Sequence, residues 1–441
     1  MKQRLLFAPQ SYDLSPRCSS QLTRGKTVVR FAEKTEGKDG LIMVDSARSH
    51  GEEQQKDDWQ LRREDLRGTW AMHWQAQQSE GDEVRARREQ ARRYGLEAAA
   101  SIEDRTLTLF RREPWTLGGG TGEATFLQVP FLHDMQQLGG QDVVIVGVPL
   151  DSGTTCRPGA RFGPAAIRRA SALSYGYNPE RGIDLHAALV MVDVGDIQVI
   201  PSHIEKSFDQ ISRALSYIVE RGAFPVVLGG DHSIGYATLR GVAPHVEGKL
   251  GVIHFDRHSD LSERTYDERM HASPFFHATA LPNVPPTNLV QIGIGGWTGS
   301  KKGMRLAHER QATVITLDDI DRYGLERVME YALEIAWKGA SAVWLSFDID
   351  VVDPAFAPGT GTPEPGGLQP REVFRMVRLA AREGLQGMEL VEVAPPYDVA
   401  DLTALLAGRI IMEVLGTLVV EGKLGRWRKA AGGTGPGSQP D

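Results

Sequence analysis

The sequence predicts a three-layer α/β/α fold built on a mostly parallel sheet of roughly eight strands. Short apolar runs rich in Val, Ile and Leu recur between residues 142 and 393, and segments of helical period separate most of them. Polar residues able to do chemistry stand just past the C-terminal ends of several runs. The strand candidates are DVVIVGV (142–148), ALVMVDV (188–194), PVVLGG (225–230), KLGVIHF (249–255), NLVQIGI (288–294), TVITL (313–317), AVWLSFD (342–348) and GMELVEV (387–393). These runs are continuously apolar rather than alternating, the pattern of strands buried on both faces and therefore of a parallel sheet covered by helices. Helices are expected at 164–172, 203–221, 326–338, 370–382 and 402–421. The first follows Gly163-Pro164, and proline suits the first helical turn because its missing N–H has no partner there. Ligands of such sheets bind beyond the carboxyl ends of the strands, which is where the site is expected.

The 441 residues are 41% hydrophobic and 24% charged, ordinary for a globular protein. A net charge of −7 argues against a nucleic-acid or anionic-membrane surface. Cys18 and Cys156 cannot build a disulfide framework or a thiolate metal site, so a reducing, cytoplasmic setting is expected. No apolar run is read as long enough, roughly 18 residues, to cross a membrane, and no secretory core is read at the start. The first thirty residues carry Lys2, Arg4, Arg17, Arg24, Lys26 and Arg30 against one acid, Asp13. That is the pattern of a plastid or mitochondrial transit peptide, and a disordered tail gives the same pattern. Residues 1–100 form an N-terminal extension, partly disordered or helical, with Trp59, Trp70 and Trp74 in its charged stretch; 101–425 form the catalytic domain; 426–441 are a Gly/Pro/Ser-rich disordered tail. GGTGE (119–123) and GIGGW (293–297) are glycine-rich, yet neither matches the dinucleotide fingerprint.

Three strand ends hold the decisive residues: GGDHS (229–233), FDRHSD (255–260) and SFDIDVVDP (346–354). In extended backbone alternate residues share a face, which puts Asp256, His258 and Asp260 together and Asp348 with Asp350, while His232 approaches from a third direction. Carboxylates so close repel one another and are costly to bury. Two divalent cations remove that cost, and a donor set of oxygens and imidazoles without thiolate suits Mn2+, Ni2+ or Co2+ better than structural zinc.

These segments resemble the ureohydrolase family of arginases and agmatinases, whose signatures are G-G-D-H-S, D-A-H-x-D and S-x-D-x-D-x-x-D-P-x-x-x-P-G-T-G. The third stands here at 346–361, and GVPLDSG (147–153), RPGARFGP (157–164) and VEVAPPYD (391–398) share the likeness. It implies an arginase-like fold, a trimer or hexamer, and a small guanidino substrate. It also implies one cation held by His232, Asp256, Asp260 and Asp348 and a second by Asp256, His258, Asp348 and Asp350. Glu392 would grip the guanidinium as a bidentate, charge-assisted partner. Asp260 would pass a proton to the leaving nitrogen, and His271 would bind near the substrate and relay protons to solvent. His254 and His277 lack such a match and read as structural.

Arg257 replaces the family's usual alanine in D-A-H-x-D and, by alternation, points away from the cations to brace their surroundings. FDRHSD, DERMH (267–271), GIGGW and the N-terminal extension resemble the branch that hydrolyses free guanidine to urea and ammonia and that is associated with nickel rather than manganese. Trp297, with Phe275 and Phe276, would cage a bare cation. Agmatine and 4-guanidinobutyrate are the alternative substrates, and a non-catalytic binding relative is the alternative of a different class.

Overall fold

The computed structural model describes residues 124–425; the expectations for residues 1–100 and 426–441 fall outside them. The main strands are β1 (Val143–Gly147), β4 (Met191–Asp196), β5 (Phe224–Leu228), β6 (Lys249–Phe255), β7 (Leu289–Ile294), β8 (Thr313–Thr316), β9 (Ala340–Asp348) and β10 (Gly387–Val391). They form one sheet in the order β4-β1-β5-β10-β9-β6-β7-β8, with every neighbouring pair parallel. A separate two-stranded ribbon pairs β2 (Tyr177–Asn178) with β3 (Ile183–Asp184).

Residues alternate along each strand between two apolar layers. Val143, Ile145, Val226, Leu228, Ile253, Phe255, Val343, Leu345, Met388 and Leu390 face one core. On that side lie α1 (Gly163–Ser171), α8 (Leu325–Ala336), α9 (Pro370–Arg382) and α10 (Leu402–Val420), through residues such as Ile167, Met329, Met376 and Ile410. Val144, Val146, Val227, Leu250, Val252, Trp344 and Val391 face the other. There α3 (Ile204–Glu220) and α4 (Ile234–Val242) supply Phe208, Ile211, Leu215, Ala237 and Val242. Phe208, Ile211, Leu215 and Ile218 recur at helical spacing and form the buried stripe of α3.

The short helices α2 (Leu185–Ala188), α4, α5 (Pro274–Ala278), α6 (Lys301–Arg310) and α7 (Leu317–Tyr323) are absent from the sequence reading. Local capping starts several of them. Asp184 accepts from the backbone N–H of His186 and Ala187 at 2.9 and 3.3 Å, which makes residues 185–188 helical and delays β4 to Met191. A reciprocal capping box between Thr316 and Asp319 opens α7.

Arg409 and Glu413 interrupt the apolar residues of α10, so no uninterrupted apolar run of membrane length stands there. α10 has 19 residues and a mean hydropathy of 1.8, enough to span a bilayer by length and composition. In the fold 72% of that window is buried, because the helix lies against the sheet rather than lipid.

Candidate functional site

The strands whose ends carry the chemistry, β5, β10, β9 and β6, are consecutive in the sheet. The sequence-predicted residues 232, 256, 258, 260, 348, 350 and 392 therefore meet at one edge. The local backbone differs from the extended segment expected. β6 ends at Phe255, and Asp260 reaches the cluster with φ of 44°. β9 ends at Asp348, whose side chain accepts from the Asp350 N–H at 2.9 Å and caps a single 3-10 turn. Convergence thus comes from tight turns rather than from strand alternation.

His232 is fully buried, and its Nδ1 lies 3.2 Å from Asp256 Oδ2, 3.0 Å from Asp260 Oδ2 and 3.1 Å from Asp348 Oδ2. His258 Nδ1 lies 3.3 Å from Asp256 Oδ1 and 3.1 Å from Asp350 Oδ2. Asp256 stands between the two imidazoles, one oxygen towards each. The candidate ligand atoms of His232, His254, Asp256 and Asp260 lie within 4.8 Å of one another, as do those of Asp256, His258 and Asp350. The donor set of converging carboxylate oxygens with two imidazole nitrogens fits a pair of divalent cations.

Electrostatics give the same picture. Burial, then Asp350 and Asp256, push the Asp348 carboxyl well above the usual range. Burial raises Asp350 to about 6 despite the nearby His258. Burial would also raise Asp256, but the His254 imidazole and the hydrogen bonds from His232, His254 and His258 reverse it and hold that carboxyl well below the usual range. Burial opposes charge on His232 and His258, yet their carboxylate partners raise both imidazoles. Protons and imidazolium charge balance the carboxylates of the polypeptide by itself.

A stability consequence follows. Groups raised in the folded state favour folding fully below their unfolded value, near 3.8 for an aspartate, and that contribution is lost as pH rises through the folded value, about 6 for Asp350. Protein stripped by a chelator should therefore lose stability between pH 5 and 7.5. Adding Mn2+ or Ni2+ should raise Tm by several degrees more at pH 7.5 than at pH 5. Equal gains at the two pH values would contradict this account of the cluster.

Glu392 follows β10 with φ of 64°, a conformation costly for a side chain that carries Cβ and one found preferentially at functional sites. Its Oε1 accepts from the His232 N–H at 2.9 Å and from His271 Nδ1 at 3.0 Å. His271 Nε2 meets Thr155 Oγ1 at 3.0 Å. Burial disfavours the imidazolium of His271, but the hydrogen bond to Glu392 and the nearby carboxylates outweigh it and raise the group to about 9. Beside Glu392, Asp231 is raised to about 6, by burial and then by Glu392 itself. Asp231 ties the neighbouring loop down by accepting the Gly153 N–H at 2.7 Å. A cleft of about 350 Å³ opens above these groups, lined by His258, Asp260, His271, Asp348, Asp350 and Glu392, with Thr155, Arg264, Lys302 and Thr362 on its walls.

Arg257 turns away from the cluster as expected. Its guanidinium donates to the Gly293 carbonyl near the end of β7 at 3.1 Å and to the Pro365 carbonyl at 3.5 Å. Trp297 departs from expectation. It follows Gly296, whose φ is 77°, and its backbone N–H donates to Glu364 at 3.4 Å; the residue is 98% exposed and outside the cleft wall. Phe275 is buried against the rings of His232 and His254, and Phe276 packs under the Arg310 guanidinium; neither lines the cleft. The described residues therefore build no aromatic cage.

His254, read as an isolated structural histidine, is bound to the centre. Its Nε2 lies 2.8 Å from Asp256 Oδ2, and its Nδ1 accepts from Gln291 Nε2 at 2.9 Å. The signal was its place two residues before Asp256, on the same side of β6. His277 instead bonds the Glu268 carbonyl at 2.8 Å, away from the cluster.

Comparison with known proteins agrees with this geometry. The arginase family model matches residues 141–416. Proclavaminate amidinohydrolase from Streptomyces clavuligerus is 40% identical over 292 residues, covering 66% of this chain and 91% of that protein. Its solved structure superimposes with a TM-score of 0.62 at 38% identity, over 67% of this chain and 97% of that one. The mitochondrial agmatinase of Gallus gallus is 38% identical over 298 residues, 67% of this chain and 86% of that protein. Arginase from Bacillus caldovelox superimposes with a TM-score of 0.56 at 31% identity, over 63% of this chain and 99% of that one. Fold, site and sequence agree: the chain belongs to the arginase family, with that family's α/β fold and its hydrolase chemistry on C–N bonds.

Proposed function

We propose that this chain hydrolyses free guanidine to urea and ammonia at a centre of two divalent cations, Ni2+ or Mn2+. Membership of the arginase family supports hydrolysis of a guanidino compound; the finer reading concerns which one. The observation that carries it is the charge of the cleft. Glu392 is the only acid among its lining residues that lies outside the Asp/His cluster, and Arg264 and Lys302 occupy its more exposed wall. Lys302 also reaches Glu263 at 3.4 Å. One carboxylate suits one guanidinium, and a second cation such as the ammonium of agmatine would meet Arg264 and Lys302 instead of an acid. Free guanidine has no tail to place. The sequence likeness to the guanidine-hydrolysing branch supports the same choice.

In this reading His232, Asp256, Asp260 and Asp348 hold one cation, and Asp256, His258, Asp348 and Asp350 the other. Bound there, the cations supply the Lewis acidity that makes water nucleophilic near neutral pH. Glu392 binds the planar cation and fixes its carbon towards the cluster. Asp260, on the cleft wall, takes the proton given up by the attacking water and hands it to the nitrogen that leaves as ammonia. His271, which also lines the cleft, relays protons between the site and solvent.

The same cations on the wall favour one second reading, a guanidino acid such as 4-guanidinobutyrate whose carboxylate Arg264 and Lys302 would receive. Urea release from free guanidine, agmatine, 4-guanidinobutyrate and arginine separates the two. The highest kcat/KM is expected with guanidine. A preference of orders of magnitude for agmatine would end both readings, and one for 4-guanidinobutyrate would establish the second.

A further inference from the structure

A polar row crosses the sheet directly beneath the cluster. Glu389 on β10 pairs in register with Ser346 on β9, Ser346 with His254 on β6, and His254 with Gln291 on β7. All are fully buried. They share a face with Val391, Trp344, Val252 and Leu289, which belong to an apolar core layer. A carboxylate in such a layer is costly unless it is compensated. Among the described residues Glu389 has no ion-pair partner; its oxygens accept from Ser346 Oγ at 2.7 Å and Thr238 Oγ1 at 2.6 Å. Helix α4 leaves room for it at Gly235, where a Cβ would stand 3.2 Å from Glu389 Oε1.

The direction of these hydrogen bonds connects Glu389 to the site. The single Ser346 hydroxyl proton goes to Glu389 Oε1, which leaves its oxygen only lone pairs for His232 Nε2, 2.9 Å away. Nε2 must then carry the imidazole proton. When a cation takes the place of the imidazolium's other proton, Nδ1, the atom facing Asp256, Asp260 and Asp348, is the nitrogen whose lone pair becomes free to bind it. A hydrogen-bonded anion behind a ligating imidazole also raises the basicity of the ligating nitrogen.

We propose that Glu389 is a positioning residue for the metal centre: through Ser346 it holds His232 as the Nε2–H tautomer and thereby sets the affinity for the cation that His232 shares with Asp256, Asp260 and Asp348. The row has a matching arm at its other end, where Gln291 donates to His254 Nδ1 and leaves His254 Nε2–H for Asp256 Oδ2. The inference rests on the metal-centre reading above.

The test is a titration of chelator-treated full-length protein with Mn2+, followed by the EPR signal of the free ion, for wild type, Glu389→Gln, Ser346→Ala and the double variant. Gln keeps the size of the side chain and can still accept from Ser346, but it removes the charge. Glu389→Gln and Ser346→Ala should each weaken one of two Mn2+ sites by about tenfold or more and leave the other nearly unchanged. The double variant should lose little beyond Ser346→Ala, because the charge of Glu389 acts on His232 only through Ser346. Should Glu389→Gln not fold, Ser346→Ala carries the same expectation. Unaltered Mn2+ affinity in the folded variants, with only Tm lowered, would overturn the role of Glu389 and leave the centre standing. Failure of the wild type to take up Mn2+ would instead sink the centre itself.

Discussion

Asp256→Asn should lose metal and urea production together, with kcat/KM falling at least about a thousandfold, roughly 4 kcal/mol of transition-state stabilisation. Asp256 is the carboxylate on which three histidines converge. Oδ2 faces His232 Nδ1 at 3.2 Å and accepts from His254 Nε2 at 2.8 Å, while Oδ1 accepts from the His258 N–H at 2.6 Å and faces its Nδ1 at 3.3 Å. An asparagine amide must turn its NH2 towards one side or the other, and either way a donor faces a donor. The charge that both cations would share disappears as well. Metal analysis after purification in Mn2+ or Ni2+ should find less than a full pair of ions per subunit. Two bound ions and wild-type turnover in this variant would remove Asp256 from the centre.

Glu392→Gln should behave in the opposite way towards metal. The Oε1 position accepts from His232 N–H and His271 Nδ1, and the carbonyl of glutamine can keep both bonds, so the cluster should stay assembled. The Oε2 position, which makes no hydrogen bond among the described residues, becomes an NH2 that presents donors to a guanidinium made only of donors. Removing one partner of a charge-assisted pair in a closed site costs about 2–5 kcal/mol. A loss of about a hundredfold or more in kcat/KM is expected, largely through KM, with full metal content. The His271 proton, held at a value of about 9 largely through Glu392, should also bind more weakly, so the alkaline limb of the pH–rate profile should move down. Unchanged kinetics would take Glu392 out of the site.

What could be read from residues alone was the part encoded in short range. Runs such as 142–148 and 249–255 are apolar over one strand length, so they had to lie inside a covered sheet, and all of the expected main strands occur in it. GGDHS, FDRHSD and SFDID concentrate charge that is costly to bury next to such runs, and that mismatch marks a site in any fold that buries the runs. The short helices were less legible, because α2 and α7 depend on single capping groups at Asp184 and Thr316 rather than on a sustained apolar stripe.

Long-range packing decided the rest. β10 comes last in the chain yet inserts between β5 and β9, bringing Glu392 to His232 across 160 residues of sequence. Trp297 and α10 show the reverse limit, since an indole looks like a cage wall and a 19-residue apolar helix like a membrane span until their neighbours are known. Glu389 carries no local mark of function, because its partners Ser346 and Thr238 lie on β9 and α4 and only packing brings them together. Composition and periodicity determine what must be buried. Which buried groups face one another, and hence which protons and charges they share, is a property of the assembled sheet.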